Sequence, residues 1–286
     1  MSISVSLELT KNCNFRCRHC AINAGPGGKI MSITNVKEVL NHLPGNLEYL
    51  LLSGGEIFTI KDRLWQTLEY IRDHRQRLFP KVKISVNTNG FWIKDAPSDV
   101  ETFRRLHEYG VNNIGFSGMD AFHKEQGLNL EMVKRGALNA RAILERDLGG
   151  NETFTFMFYG CRPGIANPLG RAASLPANLL RPESKCSLPL DSAITVGSDG
   201  EAYLCCWQGS PSIGSVITTP LDELVNRASV DPVLGALMRE GLLAAAIALG
   251  VYDPGKAGEY TTRACIICKG LFAGYSGLRL VSNSFR

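Results

Sequence analysis

The chain has 286 residues, a formal net charge of +4, 44% hydrophobic and 20% charged residues. That length suits one large domain or a barrel with an appendage, and so small a positive balance gives no case for a nucleic-acid partner. The longest apolar run, Leu242 to Val251, is about half of what a membrane-spanning helix requires, so it reads as a buried helix and no membrane partner is expected.

The N-terminal stretch MSISVSLELTKNC alternates polar and apolar residues and reads as a strand, not a secretory signal. A cytoplasmic location follows as the expectation. In a reducing compartment, nine cysteines argue for metal or redox chemistry over disulfides. Further short apolar runs predict strands at Leu47–Leu52, Val82–Asn87, Asn113–Ser117 and Thr153–Tyr159, after a first at Val5–Leu9. Between them, Val36, Val39, Leu40 and Leu43 fit one helix face. Leu64, Leu68 and Ile71 fit a second, Val100, Phe103 and Leu106 a third, and Met132 through Leu144 a fourth. Such alternation predicts parallel strands with right-handed crossovers, an α/β fold whose chemistry sits at the C-terminal strand ends.

After Gly160 the rhythm breaks. Residues 162–182 are rich in Pro, Gly and Ala and read as a connection. Ala193–Val196 and Ala202–Leu204 flank Ser198-Asp-Gly200, a hairpin signal. Thr219-Pro-Leu-Asp-Glu predicts a helix start with Thr219 as cap and Pro220 at the first position. The tail after Gly250 has weak periodicity.

Cys13-Asn-Phe-Arg-Cys17-Arg-His-Cys20 directly follows the first strand. Three thiolates on one loop can converge on a soft metal centre. A structural zinc site normally takes four protein ligands, so three suggest an iron–sulfur cluster with one iron left open. Leu52-Ser-Gly54-Gly55-Glu56 ends the second strand. Its glycines let a backbone approach a ligand closely, and its carboxylate can receive an ammonium group. Ser85-Val-Asn87-Thr-Asn89-Gly90 and Phe116-Ser117-Gly-Met-Asp120 place small polar groups after the third and fourth strands. Turn and capping roles explain these equally well.

Together these motifs resemble the radical S-adenosylmethionine (radical SAM) enzymes over about residues 3–160. The resemblance implies that Cys13, Cys17 and Cys20 hold a [4Fe–4S] cluster whose open iron is chelated by SAM. It implies a GGE motif at Gly54, Gly55 and Glu56 for the amino group of SAM, with Asn87, Asn89 and Ser117 around its ribose and carboxylate. His19 stands where the family usually has an aromatic residue. The implied fold is a partial (β/α)6 barrel over residues 1–182, followed by a hairpin-plus-helix domain over 183–286. In that second part, Cys186, Cys205 at a fixed offset from Asp199-Gly200, and Cys265-x2-Cys268 resemble a twitch domain, the short form of the SPASM domain, with one auxiliary [4Fe–4S] cluster. Zinc would suit these four thiols on chemistry alone.

Two thiols remain. Cys206 turns away from Cys205 by pleat geometry and reads as a small buried hydrophobe, though the reverse assignment of the pair stays open. Cys161 follows the fifth strand, where the barrel opens. Radical SAM epimerases return a hydrogen atom from a cysteine to the opposite face of a carbon radical, and Cys161 is the first candidate, with Cys206 the second. A twitch-domain dehydrogenase places an arginine shortly before its first auxiliary cysteine, as Arg171 is placed here, to contact the reacting hydroxyl. Asp120 and His123 are further candidates for polar substrate groups.

The expected activity is epimerisation of an aminoglycoside or sugar-like carbinol carbon. Oxidation of the alcohol to a ketone comes next and peptide modification third. A flavodoxin or ferredoxin is the expected electron donor. The rival from another class is a non-catalytic metal-binding protein.

Overall fold

The computed structural model describes residues 3–150, 153–161, 166, 167, 169–180, 194–205, 208–262, 264–273 and 275. The residue 182/183 boundary, Cys186 and Cys206 lie outside the described residues.

The first half alternates as expected: β1 Ile3–Thr10, α1 Ile33–Asn41, β2 Leu47–Gly54, α2 Lys61–Leu78, β3 Lys83–Thr88, α3 Pro97–Glu108 and β4 Val111–Phe116. Then come a short α4 Ala121–Lys124, α5 Leu130–Asp147 and β5 Thr155–Phe158. β1 to β5 pair in parallel in sequence order.

The strands alternate between two faces. On one face Val5, Leu7, Leu9, Leu50, Leu52, Ile84, Val86, Ile114 and Phe116 are buried with Val36, Leu40, Leu64, Leu68, Phe103 and Val133 of the helices. At about 25 cal/mol per Å² of apolar surface, this layer is the main stabilising term. The other face carries Ser6, Glu8 and Thr10 from β1, Ser53 from β2, Ser85 and Asn87 from β3, and Asn113 and Gly115 from β4. Hydroxyls and amides pair along it: Ser6 with Ser53 at 3.3 Å, and Asn113 donating to Ser85 at 3.0 Å. A barrel interior filled by its own side chains is built of Val, Ile and Leu. This one is polar and, at Met157 and Tyr159, 45% and 43% exposed, so it is an open wall for a ligand.

The hairpin is where it was expected, β6 Ile194–Val196 and β7 Glu201–Tyr203, but it does not form a sheet of its own. β6 pairs parallel with β1, Ser6 opposite Thr195. With β8 Ser212–Ser215, one eight-stranded sheet results, in the order β5-β4-β3-β2-β1-β6-β7-β8. The later helices are α6 Leu221–Val230, α7 Pro232–Glu240, α8 Leu242–Ala248, α9 Glu259–Thr262 and α10 Ala264–Leu271. Pro220, not Thr219, occupies the cap position of α6, with no side-chain capping bond. α8 is amphipathic rather than fully buried: Leu242, Ala245 and Ala246 are buried, while Ile247 is 57% exposed. Among the described residues, no helix is long and apolar enough to cross a membrane.

Candidate functional site

The C-terminal ends of β1 to β5 bring the predicted residues to one rim. The loop after β1 is fixed through its backbone. Cys13 N donates to Gly25 O at 3.1 Å, Gly25 N to Lys11 O at 3.0 Å, and Cys20 N to Cys17 O at 3.2 Å. Cys13 and Cys17 are buried and Cys20 half-buried. Burial pushes the Cys13 thiol up to about 11 and the Cys17 thiol up to about 12. Bound iron would reverse this, because a coordinated thiol loses its proton outright. Three soft donors on one short loop therefore fit a [4Fe–4S] cluster with an open iron. Among the described residues, one trio, Cys17, His19 and His123, also brings its ligand atoms within 4.8 Å of one another, close enough for a single ion.

Arg171 holds this loop from outside. Its Nε donates to Cys17 O at 3.0 Å and its Nη2 to Ala24 O at 2.6 Å, while its backbone N donates to Cys20 O at 3.0 Å. Gly170 makes the approach feasible: a Cβ there would lie 2.3 Å from Ala21 O. Arg171, which the resemblance set beside a substrate hydroxyl, thus directs its guanidinium to the cysteine loop.

The glycine pair continues β2 alongside that loop. Gly55 N donates to Thr10 O at 2.7 Å and Glu56 N to Asn12 O at 2.8 Å. A Cβ on Gly54 would sit 2.3 Å from Thr10 O, and one on Gly55 2.3 Å from Asn12 O. Backbone contact this close is open to glycine alone. Glu56 is 1% exposed. Its carboxylate accepts from Phe58 N at 3.0 Å, Thr88 Oγ1 at 2.9 Å and Asn89 N at 2.6 Å. Burial still pushes it up to about 7, with those three bonds pulling down. Three of roughly four acceptor positions are filled by the protein itself, so Glu56 ties β2 to β3 before it meets any ligand.

Asn89 donates to Asn14 Oδ1 at 3.0 Å and accepts from Phe91 N at 2.9 Å. Ser117 ties β4 to β3, its N donating to Thr88 O at 2.8 Å. Asn87 faces the open wall. Beside it Gly115 leaves room for a longer neighbour, since a Cβ there would lie 2.2 Å from Asn87 Oδ1 and 2.9 Å from the Tyr159 hydroxyl.

Cys161 follows β5 and is half-buried. Its backbone N donates to Asp120 Oδ2 at 2.8 Å. Asp120 Oδ1 accepts from His123 N at 2.9 Å and contacts His123 Nδ1 at 2.8 Å. Asp120 therefore caps α4 and fixes both His123 and the Cys161 backbone. Burial, and then the Asp120 carboxylate, push the Cys161 thiol up to about 11, so it keeps its proton at neutral pH. His19 stacks on Phe122 with ring centroids 4.6 Å apart, and burial lowers it to about 4.

Cys265 and Cys268 lie three apart on α10, hence on neighbouring positions of one face. Cys268 Sγ donates to Gly209 O at 3.5 Å, and Gln208 N donates to Cys205 O at 3.2 Å. The C-x2-C helix and the turn after β7 thus meet.

Sequence reasoning missed Tyr159, Gln208 and Glu8. Glu8 alone carried a signal, an acid within the apolar first strand.

The profile of the radical SAM superfamily matches residues 7–160. The Bacillus subtilis (strain 168) protein YydG, named for peptide biosynthesis, is 24% identical over 123 residues; the matched stretch covers 42% of this chain and only 36% of that protein's length. Among solved structures, BtrN in complex with AdoMet and 2-DOIA aligns with a TM-score of 0.51 at 13% identity, over 84% of this chain and 88% of that one. The enzyme anSMEcpe with bound AdoMet and the Cp18Cys peptide aligns with a TM-score of 0.48 at 15% identity, over 99% and 100%.

Proposed function

The chain belongs to the radical SAM superfamily, and on that premise we propose that it epimerises a carbon of a hydroxylated or aminated, sugar-like substrate, with Cys161 as the hydrogen donor. Cys13, Cys17 and Cys20 would hold the [4Fe–4S] cluster that the family implies, with Gly54, Gly55, Glu56, Asn87, Asn89 and Ser117 on the SAM side. When bound, SAM and the cluster supply the 5′-deoxyadenosyl radical that removes a hydrogen atom from the substrate.

Cys161 carries the reading. It stands at the strand end of the open wall, anchored through its own N–H to Asp120 at 2.8 Å. Its thiol is held near 11, so the S–H bond needed for hydrogen-atom return is intact at neutral pH. Donation forms a C–H bond on the substrate and leaves a thiyl radical. One electron from a ferredoxin- or flavodoxin-class donor and one proton restore the thiol. Arg171 serves as a clamp on the cysteine loop rather than as a base, its guanidinium donating to Cys17 O and Ala24 O. Cys186, Cys205, Cys265 and Cys268 would hold an auxiliary [4Fe–4S] cluster, supported by the meeting of α10 with the Gly209 turn. The domain boundary near residue 182 belongs to this proposal, as does Cys206 as the alternative donor.

Peptide modification is the second reading, supported by the likeness to YydG over 123 residues. The deciding experiment runs the reconstituted enzyme in deuterated water with a substrate chosen by its coupling to 5′-deoxyadenosine release. Deuterium at an inverted carbon, lost in Cys161→Ala, is expected. Undiminished deuterium in that variant removes Cys161 from the role, and a ketone product marks dehydrogenation instead. Iron and sulfide analysis should give about eight irons per chain, and about four in Cys268→Ser.

A further inference from the structure

The open wall contains a second buried carboxylate that the cofactor motifs do not use. Glu8 is on β1 and only 4% exposed. Its two neighbours on the same face are satisfied, Ser6 by Ser53 at 3.3 Å and Thr10 by Lys29 O at 3.0 Å. Glu8 is not: its Oε2 is buried without a hydrogen-bond partner. Register sets β6 beside it, with Ser6 opposite Thr195 and Leu7 opposite Val196, so Glu8 comes level with Gly197. Thr195 Oγ1, Ser198 Oγ and Ser210 Oγ, all from this β6–β7 side, are likewise buried and unpartnered, and the Gln208 amide is the one side-chain donor beside Glu8. Gly197 lets a second carboxylate come close there, since a Cβ would lie 2.6 Å from Asp199 Oδ1, 3.4 Å from the Tyr203 ring and 3.5 Å from Gln208 Nε2. Gln208 itself is held at φ +53°, in the left-handed region that a side chain rarely adopts. The ionisable groups that act on Glu8 are Lys11, Asp199 and Tyr203, and Lys11, the one cation among them, forms no ion pair with it.

A buried carboxylate with no paired cation and one amide donor, Gln208, is costly to keep. Its partner is then expected from outside the chain. We propose that Glu8, with Thr195 and Gln208, is a subsite for a protonated primary amino group of the substrate. An ammonium offers three N–H donors, which a carboxylate, a hydroxyl and an amide oxygen can accept. Glu8 lies two residues below the end of β1, about 7 Å beneath the rim where the radical chemistry occurs. A substrate anchored there by its amine presents a carbon several bonds away to the rim. This assignment rests on the radical SAM reading and narrows its substrates to amines.

The probes are 4-aminocyclohexanol against cyclohexanol, and n-butylamine against n-butanol, added to the reconstituted, SAM-loaded protein and followed by saturation-transfer NMR. The ring pair stands for an aminated sugar-like substrate, the linear pair for a lysine side chain. At least one amine should bind about tenfold or more tightly than its alcohol, as a charged hydrogen bond implies. Glu8→Gln should abolish that preference. Should this variant fail to fold, Thr195→Val should weaken the amine roughly threefold, the loss of one neutral hydrogen bond. No preference for either amine in the wild type, or a preference that survives Glu8→Gln, overturns the proposal. Reductive SAM cleavage by the wild-type holoenzyme tests the radical SAM reading separately. Cleavage without amine preference sinks the subsite and leaves that reading standing.

Discussion

Two buried glutamates, one after β2 and one within β1, face the same problem and meet it differently. Glu56 is 1% exposed and receives three hydrogen bonds from Phe58, Thr88 and Asn89. Glu8 is 4% exposed, and its Oε2 receives none. Burial pushes both up to about 7. The difference lies in what surrounds them. The rim after β2 is closed by its own backbone donors and works as structure. The β1–β6 wall leaves Glu8 Oε2 and the Thr195, Ser198 and Ser210 hydroxyls without protein partners, where the proposed amine would bind.

The sharpest way to break this comparison is a pair of isosteric changes. Glu56→Gln turns an amide N–H toward a buried backbone N–H and should destabilise the fold by about 2–4 kcal/mol. Glu8→Gln removes a charge that no ion pair holds and only Gln208 bonds, and at pH 8 should melt no lower than wild type. Equal losses in thermal unfolding would erase the distinction.

The pH dependence comes next. Each carboxyl is raised from 4.5 to about 7 on folding. Between those values the folded chain binds more protons than the unfolded one. The stability these two groups contribute is therefore greatest below pH 4.5, falls as pH rises toward 7, and levels off above it. One such group accounts for up to about 3 kcal/mol of that fall. Denaturant unfolding at pH 5 and pH 8 should show a smaller drop for Glu8→Gln than for wild type.

Arg171→Ala should cost about 2 kcal/mol through the lost bonds to Cys17 O and Ala24 O. It should also lower iron retention after reconstitution, while Arg171→Lys should recover part of it. Full iron retention in the alanine variant would show that the loop needs no clamp. The smallest effect belongs to Gln208→Gly, which relieves left-handed backbone strain and should stabilise by about 1 kcal/mol in a thermal melt. A lower melting temperature would mean that the amide already holds the wall together.

The first half of the fold was readable because its strands and helices carry their own periodicity. Val36, Val39 and Leu40 sit where their spacing predicts, and Cys13, Gly54 and Cys161 all fall at or just past strand ends. What escaped is long-range. No local pattern says that Val5 will pair with Ile194, or that Arg171 will turn to the carbonyl of Cys17. α10 was missed because α9 and α10 are short, and Leu242–Val251 misled because its alanines hide an exposed face. Glu8 could have been suspected from its place among Val5, Leu7 and Leu9. Its lack of a partner could not, since that depends on residues brought in by β6.

The pairing of β6 with β1 also sets a timetable for synthesis. β1 emerges from the ribosome first, yet one of its edges stays open until Ile194–Val196 has been made. During that interval the nascent chain exposes a strand edge next to Val5, Leu7 and Leu9, the kind of edge that recruits other chains. Slow translation through the connecting segment lengthens the exposure. Chaperone supply during synthesis should therefore raise the soluble yield.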